Sequence, residues 1–157
     1  MIIGIVAIDK NFAIGRDGKL PWRVQADLKH FKETTKGNAV VMGANTWRSI
    51  GKPLPDRLNV VLSRSSDLEL PAEVMKLASW DEIVKLAELI NKDIYIIGGA
   101  KTYASLADVI DEWIVTEVPL EVKDADTFMP RNFLGCFELE STRNLGDGLT
   151  VRYLRRK

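Results

Sequence analysis

Asp27 is the residue whose type and setting most invite chemistry. In the segment from Ala13 to Lys36, a helix beginning just after Pro21-Trp22 turns about 100° per residue, so Val24, Asp27, Leu28 and Phe31 share one face. A carboxylate inside an apolar stripe is costly to bury unless it is neutralised, paired or hydrogen-bonded. It is therefore either a structural residue bonded to an amide or hydroxyl, or a group held ready to accept hydrogen bonds or a proton. Lys29, His30, Glu33 and Lys36 point elsewhere on this helix, which places His30 at the surface.

A second set of candidates suits anions. Val41-Met42-Gly43-Ala44-Asn45-Thr46 and Ile96-Ile97-Gly98-Gly99-Ala100-Lys101-Thr102 are strand-to-helix turns of one design. Each strips side chains where the strand ends and leaves amides at a positive helix end. Two such turns can hold a pyrophosphate, or they can serve packing alone. GxGxxG and the P-loop spacing are both absent, so the glycines alone do not fix a cofactor. Ser63-Arg64 and Lys101 follow strands, at the ends where open α/β sheets bind ligands. They could hold a further phosphate or lie solvated.

The elements that must position these groups alternate. Ile2 to Ile8 reads as a strand buried on both faces. Asn11 to Lys19, with Gly15 and Asp17-Gly18, reads as a loop. A helix from Val24 to Thr35 leads to a strand at Ala39 to Met42, and the next helix ends by Gly51-Lys52-Pro53. Asn59 to Leu62 and Val74 to Ala78 are further strands. Ser79 and Glu82 have capping-box spacing, Ser79 taking an orphan amide, ahead of a helix from Trp80 to Ile90. Ile94 to Ile97 is a core strand, followed by a helix through Leu106. Glu112 to Glu117, Cys136 to Arg143 and Thr150 to Arg155 are the last strands, with Gly146-Asp147-Gly148 turning between the final two. Cys136 is expected inside its strand, and Trp47, Trp80 and Trp113 read as core or helix-entry residues. The pattern is a mostly parallel α/β sheet with an antiparallel C-terminal edge strand.

Composition narrows the function classes. The 157 residues suit one domain with a sizeable core, 46% hydrophobic and 28% charged. Lys plus Arg and Asp plus Glu are 22 each, so no net charge favours nucleic acid or an anionic membrane. One cysteine forms no intrachain disulfide, and with one histidine no Cys/His metal cluster arises. The N-terminal apolar run stops at Asp9-Lys10, too short for a signal peptide or a membrane span. A cytoplasmic monomer without a metal is expected.

At this point the residues resemble dihydrofolate reductase. The resemblance rests on Ile14-Gly15, Leu20-Pro21-Trp22, Asp27-Leu28-x-x-Phe31, Val41-Met42-Gly43-x-x-Thr46-Trp47-x-Ser49-Ile50-Gly51-x-Pro53-Leu54-Pro55-x-Arg57-x-Asn59, Ile97-Gly98-Gly99 with Tyr103, and Thr116. These stand in register over more than a hundred residues. The resemblance implies one domain over residues 1–157, an eight-stranded sheet with four helices, NADPH as hydride donor and 7,8-dihydrofolate as acceptor, with antifolate inhibitors as further ligands.

It also implies the site. Asp27, aided by Thr116, would bond the pterin amino group and ring nitrogen, Trp22 would order a water beside it, and Leu20 would close over the nicotinamide. Ile5, Ala7, Leu28, Phe31, Ile50, Leu54 and Ile97 would wall the substrate. Arg57 would clamp the glutamate α-carboxylate, with Lys32 and Lys52 at the rim. Ala7, Ile14, Gly15, Gly99 and Tyr103 would surround the nicotinamide. Gly43, Ala44, Asn45, Thr46 and the turn of Gly98, Gly99, Ala100, Lys101 and Thr102 would take the pyrophosphate, with Gly98-Gly99 in a cis peptide. Leu62, Ser63, Arg64 and Lys101 would meet the adenosine 2′-phosphate. Ala44 stands where many members carry a cation, which leaves NADPH preference to Arg64 and Lys101. Two alternatives are a reductase of the same fold acting on another pterin or a pyrimidine, and a module that binds NADPH without turnover.

Overall fold

The computed structural model describes residues 1–16, 22 and 24–157. Eight strands form one sheet, in spatial order β5 (Val74–Leu77), β4 (Leu58–Leu62), β3 (Ala39–Gly43), β6 (Ile94–Gly98), β1 (Ile2–Ile8), β7 (Glu112–Glu117), β10 (Leu149–Arg156) and β9 (Phe137–Gly146). The helices among the described residues are α1 (Gln25–Thr35), α2 (Ala44–Ile50), α3 (Trp80–Leu89) and α4 (Ala100–Leu106). This is the expected α/β class. By compactness the chain divides into two units, residues 1–4 with 35–110, and residues 5–34 with 111–157.

In the first unit β3 pairs in parallel with β4 and β6, β4 with β5, and Ile2 to Gly4 with Ile94 to Ile96. Val40, Val41, Met42, Val60, Val61, Ile94 and Ile96 are fully buried, the continuous apolar runs that strands covered on both faces require. Helix α2 ends at Gly51, whose φ of +78° suits glycine and lets its N–H donate to the Trp47 carbonyl. The capping box before α3 forms differently from the expectation. Glu82 accepts from the Ala78 amide at 3.0 Å, and the Ser79 hydroxyl donates to the Asp81 and Glu82 carboxylates, taking no amide.

In the second unit β10 runs antiparallel to both β7 and β9. The C-terminal strand is thus the antiparallel one, lying one place in from the largely exposed edge strand β9. Within the expected loop Asn11 to Lys19, Ala13–Gly15 form a short strand, β2, paired with β8 (Thr127–Phe128). The cause is a buried carboxylate. Asp9 accepts the amides of Asn11 and Ala13, each at 2.8 Å, and of Val122 at 2.9 Å, tying the stretch to a partner over a hundred residues downstream.

Two side chains depart from expectation. His30 is buried, because α1 is covered on a second side where Ala26 packs with Trp22, Val118, Leu149 and Leu145. Cys136 lies exposed in the turn before β9, and its neighbour Phe137 takes the buried place. Among the described residues no helix is long and apolar enough to cross a membrane.

Candidate active site

The second unit carries the carboxylate. Helix α1 begins at Gln25, and the Val24 carbonyl accepts the Asp27 and Leu28 amides. Asp27 in this first turn is 9% exposed. The Trp22 indole N–H donates to it directly, 3.4 Å from Oδ2. Burial pushes the Asp27 carboxyl above its ordinary 3.8, and the Trp22 bond pulls the other way. Among the described residues, a carboxylate so bonded keeps most of its acceptor capacity. Leu28 on the same helix is exposed and Phe31 is half-buried, so apolar surface beside Asp27 still faces water; Lys32 is exposed. Ile5 is buried and Ala7 half-buried on β1, Thr116 is buried on β7, and Ile14 and Gly15 lie on β2.

The first unit carries Arg57, the residue expected to clamp a carboxylate. Arg57 lies in the connection from α2 to β4, where its guanidinium donates to the Pro55 carbonyl at 2.9 Å and the Thr35 hydroxyl at 3.1 Å. Burial draws it below its usual range and adjacent Asp56 opposes this, leaving a cation. Asn59 shapes that connection: buried, it accepts the Leu54 amide and donates to the Leu54 and Arg57 carbonyls. Asn59 is part of the pattern that carries the resemblance, which assigns it no role. Ile50 and Leu54 are half-buried, and Lys52 is exposed.

The two glycine turns meet in this unit, because β3 and β6 are neighbours. A side chain at Gly43 would lie 2.5 Å from the Thr102 Oγ1, and one at Gly99 would lie 3.5 Å from the Thr46 Oγ1. Gly98-Gly99 is cis, as the resemblance implied, and Gly98 has a φ of +123° that suits glycine. The buried Tyr103 ring lies against it, its phenol pushed up by desolvation. Ile97 is half-buried on β6; Ala44 opens α2 and Ala100 opens α4, while Asn45 accepts from Arg48 at 3.1 Å. Beside the turns, a cavity of about 470 Å³ is lined by Leu62, Ser63, Arg64, Lys101 and Thr102, residues expected to meet the cofactor's phosphates. Ala78, Ser79, Trp80 and Ser105 complete its wall. Sequence reasoning missed these four: the α3 entry, with Ala78, Ser79 and Trp80, lies apart in the chain from the turns it joins, and Ser105 lies one turn beyond Thr102 on α4. Leu20, expected to close over the nicotinamide, lies outside the described residues.

A carboxylate in partly wet apolar surroundings, a cation on a shaped loop, and paired glycine turns beside a basic cavity suit a heterocyclic substrate and a phosphorylated dinucleotide. The dihydrofolate reductase family profile matches residues 1–149. Dihydrofolate reductase type 3 of Salmonella typhimurium is 39% identical over 151 residues, spanning 94% of this chain and 90% of that protein. The Staphylococcus haemolyticus dihydrofolate reductase is 35% identical over 127 residues, 80% of this chain and 74% of that protein. Among solved structures, a dihydrofolate reductase from Enterococcus faecalis, complexed with NADP(H) and RAB-propyl, matches with a TM-score of 0.92 at 30% identity, covering 100% of this chain and 96% of that one. The chain belongs to the dihydrofolate reductase family.

Proposed function

We infer that this chain reduces 7,8-dihydrofolate to 5,6,7,8-tetrahydrofolate with NADPH, acting as one dihydrofolate reductase domain over residues 1–157. The observation that carries the reading is Asp27, a nearly buried carboxylate with unspent acceptor capacity beside the exposed apolar side chain of Leu28. The dinucleotide fits as well: at Gly43 the turn packs against Thr102 too closely for a side chain, which leaves its backbone bare, and Ser63, Arg64 and Lys101 line a cavity in the same unit. With Ala44 uncharged, Arg64 and Lys101 carry the preference for a 2′-phosphate. NADPH supplies, when bound, the hydride that ends on pterin C6.

The chain's own groups bind, orient and tune. Asp27 accepts from the pterin 2-amino group and ring N–H, a flat edge matched to a carboxylate, with the Thr116 hydroxyl assisting. Those two donated bonds favour its ionised form and offset the burial that raises its pKa. Its charge raises the proton affinity of N5, and the proton arrives from water, because Asp27 grips the edge away from N5. Dihydrofolate, NADPH and one proton thus give tetrahydrofolate and NADP+. Ile5, Ala7, Leu28, Phe31, Ile50, Leu54 and Ile97 contact the rings, and Arg57 takes the α-carboxylate, helped at the rim by Lys32 and Lys52. Antifolates with a similar amidine edge pair with Asp27. The enzyme works as a monomer in the cytoplasm, a reducing setting that its single cysteine suits.

Absorbance at 340 nm tests the reading. Loss of signal that requires dihydrofolate supports it. Decay only with another pterin or a pyrimidine makes the chain a reductase of different substrate, and NADPH binding without decay makes it a binding module.

A further inference from the structure

The cavity at the start of α3 contains a side chain that no part of the mechanism uses. Trp80 is 53% exposed, a large apolar surface left in water, and it lines the same cavity as Arg64 and Lys101. Helix α3 does not need it as an anchor, since Ile83 and Leu86 are buried and hold the helix. The entry to the helix is otherwise acidic: the Ser79 hydroxyl is engaged by the Asp81 and Glu82 carboxylates. Its lining joins two cations and the Ser63 hydroxyl, which suit a phosphate, with an exposed indole.

An adenosine 2′-phosphate has those two parts, an anion and an aromatic base joined by a ribose. We propose that Trp80 stacks on the adenine of NADPH. The proposal rests on the NADPH reading above and adds to it a residue that sets cofactor affinity. An indole face takes an adenine by offset stacking, a contact that depends on ring area and little on hydrogen bonding. Phenylalanine should accordingly preserve most of it, and alanine none.

The test uses adenosine 2′,5′-bisphosphate, which carries the base and the 2′-phosphate but no nicotinamide, titrated calorimetrically into wild type, Trp80→Ala and Trp80→Phe. Expected is roughly ten- to a hundredfold weaker binding in Trp80→Ala, close to wild-type binding in Trp80→Phe, and the same ratio for NADPH. Reduced nicotinamide mononucleotide, which lacks the adenosine, should show the same KM in all three proteins. Quenching of tryptophan emission by the bisphosphate should be smaller in Trp80→Phe at saturation. Wild-type affinity in Trp80→Ala overturns the proposal, and so does an equal loss in Trp80→Phe accompanied by a lowered Tm, which marks a packing role. Failure of the NADPH reading looks different: wild type itself would then leave NADPH unoxidised with dihydrofolate.

Discussion

Asp27 and His30 sit three residues apart on α1, and burial works on them in opposite senses. It pushes the Asp27 carboxyl up, towards the neutral acid, and holds His30 below its ordinary 6.5, with Arg143 adding to the effect and Glu33 opposing it. For Asp27 the neutral form is the wrong one for pairing with a pterin edge. Asp27→Asn should therefore lower turnover by about a hundredfold or more at pH 7. Part of it should return in acid, where the substrate arrives protonated, and a pH–rate profile checks both. Neutral His30, its Nε2 buried without a hydrogen-bond partner among the described residues, makes the fold sensitive to acid. The unfolded chain takes a proton at the ordinary 6.5, whereas the folded chain resists it until a lower pH. The contribution is complete above that ordinary value and shrinks as pH falls from it towards the depressed one. Wild type should thus lose more Tm than His30→Leu on going from about pH 7.5 to about pH 5.5. Parallel thermal-melt curves for the two proteins would refute this.

Among the elements, the β3–α2 and β6–α4 junctions depend most on each other. Gly43 is needed for the close approach of Thr102, since any Cβ there meets the Oγ1 at 2.5 Å. Gly43→Ala should cost about 1–3 kcal/mol of stability by overpacking, roughly 2–4 °C of Tm for each kcal/mol, and should weaken NADPH binding. Adding Thr102→Ala removes the obstructing atom, so the double variant should regain stability while cofactor affinity stays low. Differential scanning calorimetry and a binding titration separate the two effects. The α2–β4 connection shows the same dependence on one residue: Asn59, buried at the start of β4, holds the Leu54 and Arg57 backbone through three hydrogen bonds and so sets where the guanidinium begins.

Across the whole molecule, β1 supplies Ile2 to Gly4 to one compact unit and Ile5 to Ile8 to the other. Neither unit is therefore a continuous stretch of chain. Unfolding in urea should accordingly be one cooperative transition, with far-UV and near-UV circular dichroism changing together. Two separated transitions would show that the units are independent domains.

Whatever depends on neighbours in sequence is legible in the chain itself. The buried parallel strands announce themselves as apolar runs, the glycine turns by position, and Asp27 by the helical wheel, because periodicity of 2 or 3.6 is a local property of the chain. The family resemblance extends that reading to Thr116 and Arg57, which share no local pattern with Asp27. His30 escapes it because a wheel has one apolar face by assumption, whereas α1 is covered from two directions by segments distant in the chain. β2 escapes it because its partner, β8, and its organising carboxylate contact meet it across more than a hundred residues. The joining of Trp80 to Ser63, Arg64 and Lys101 in one cavity is likewise settled only by packing. Sequence determines which segments can bury a face; only the tertiary structure decides what a second face meets, since that depends on pairings no local pattern encodes.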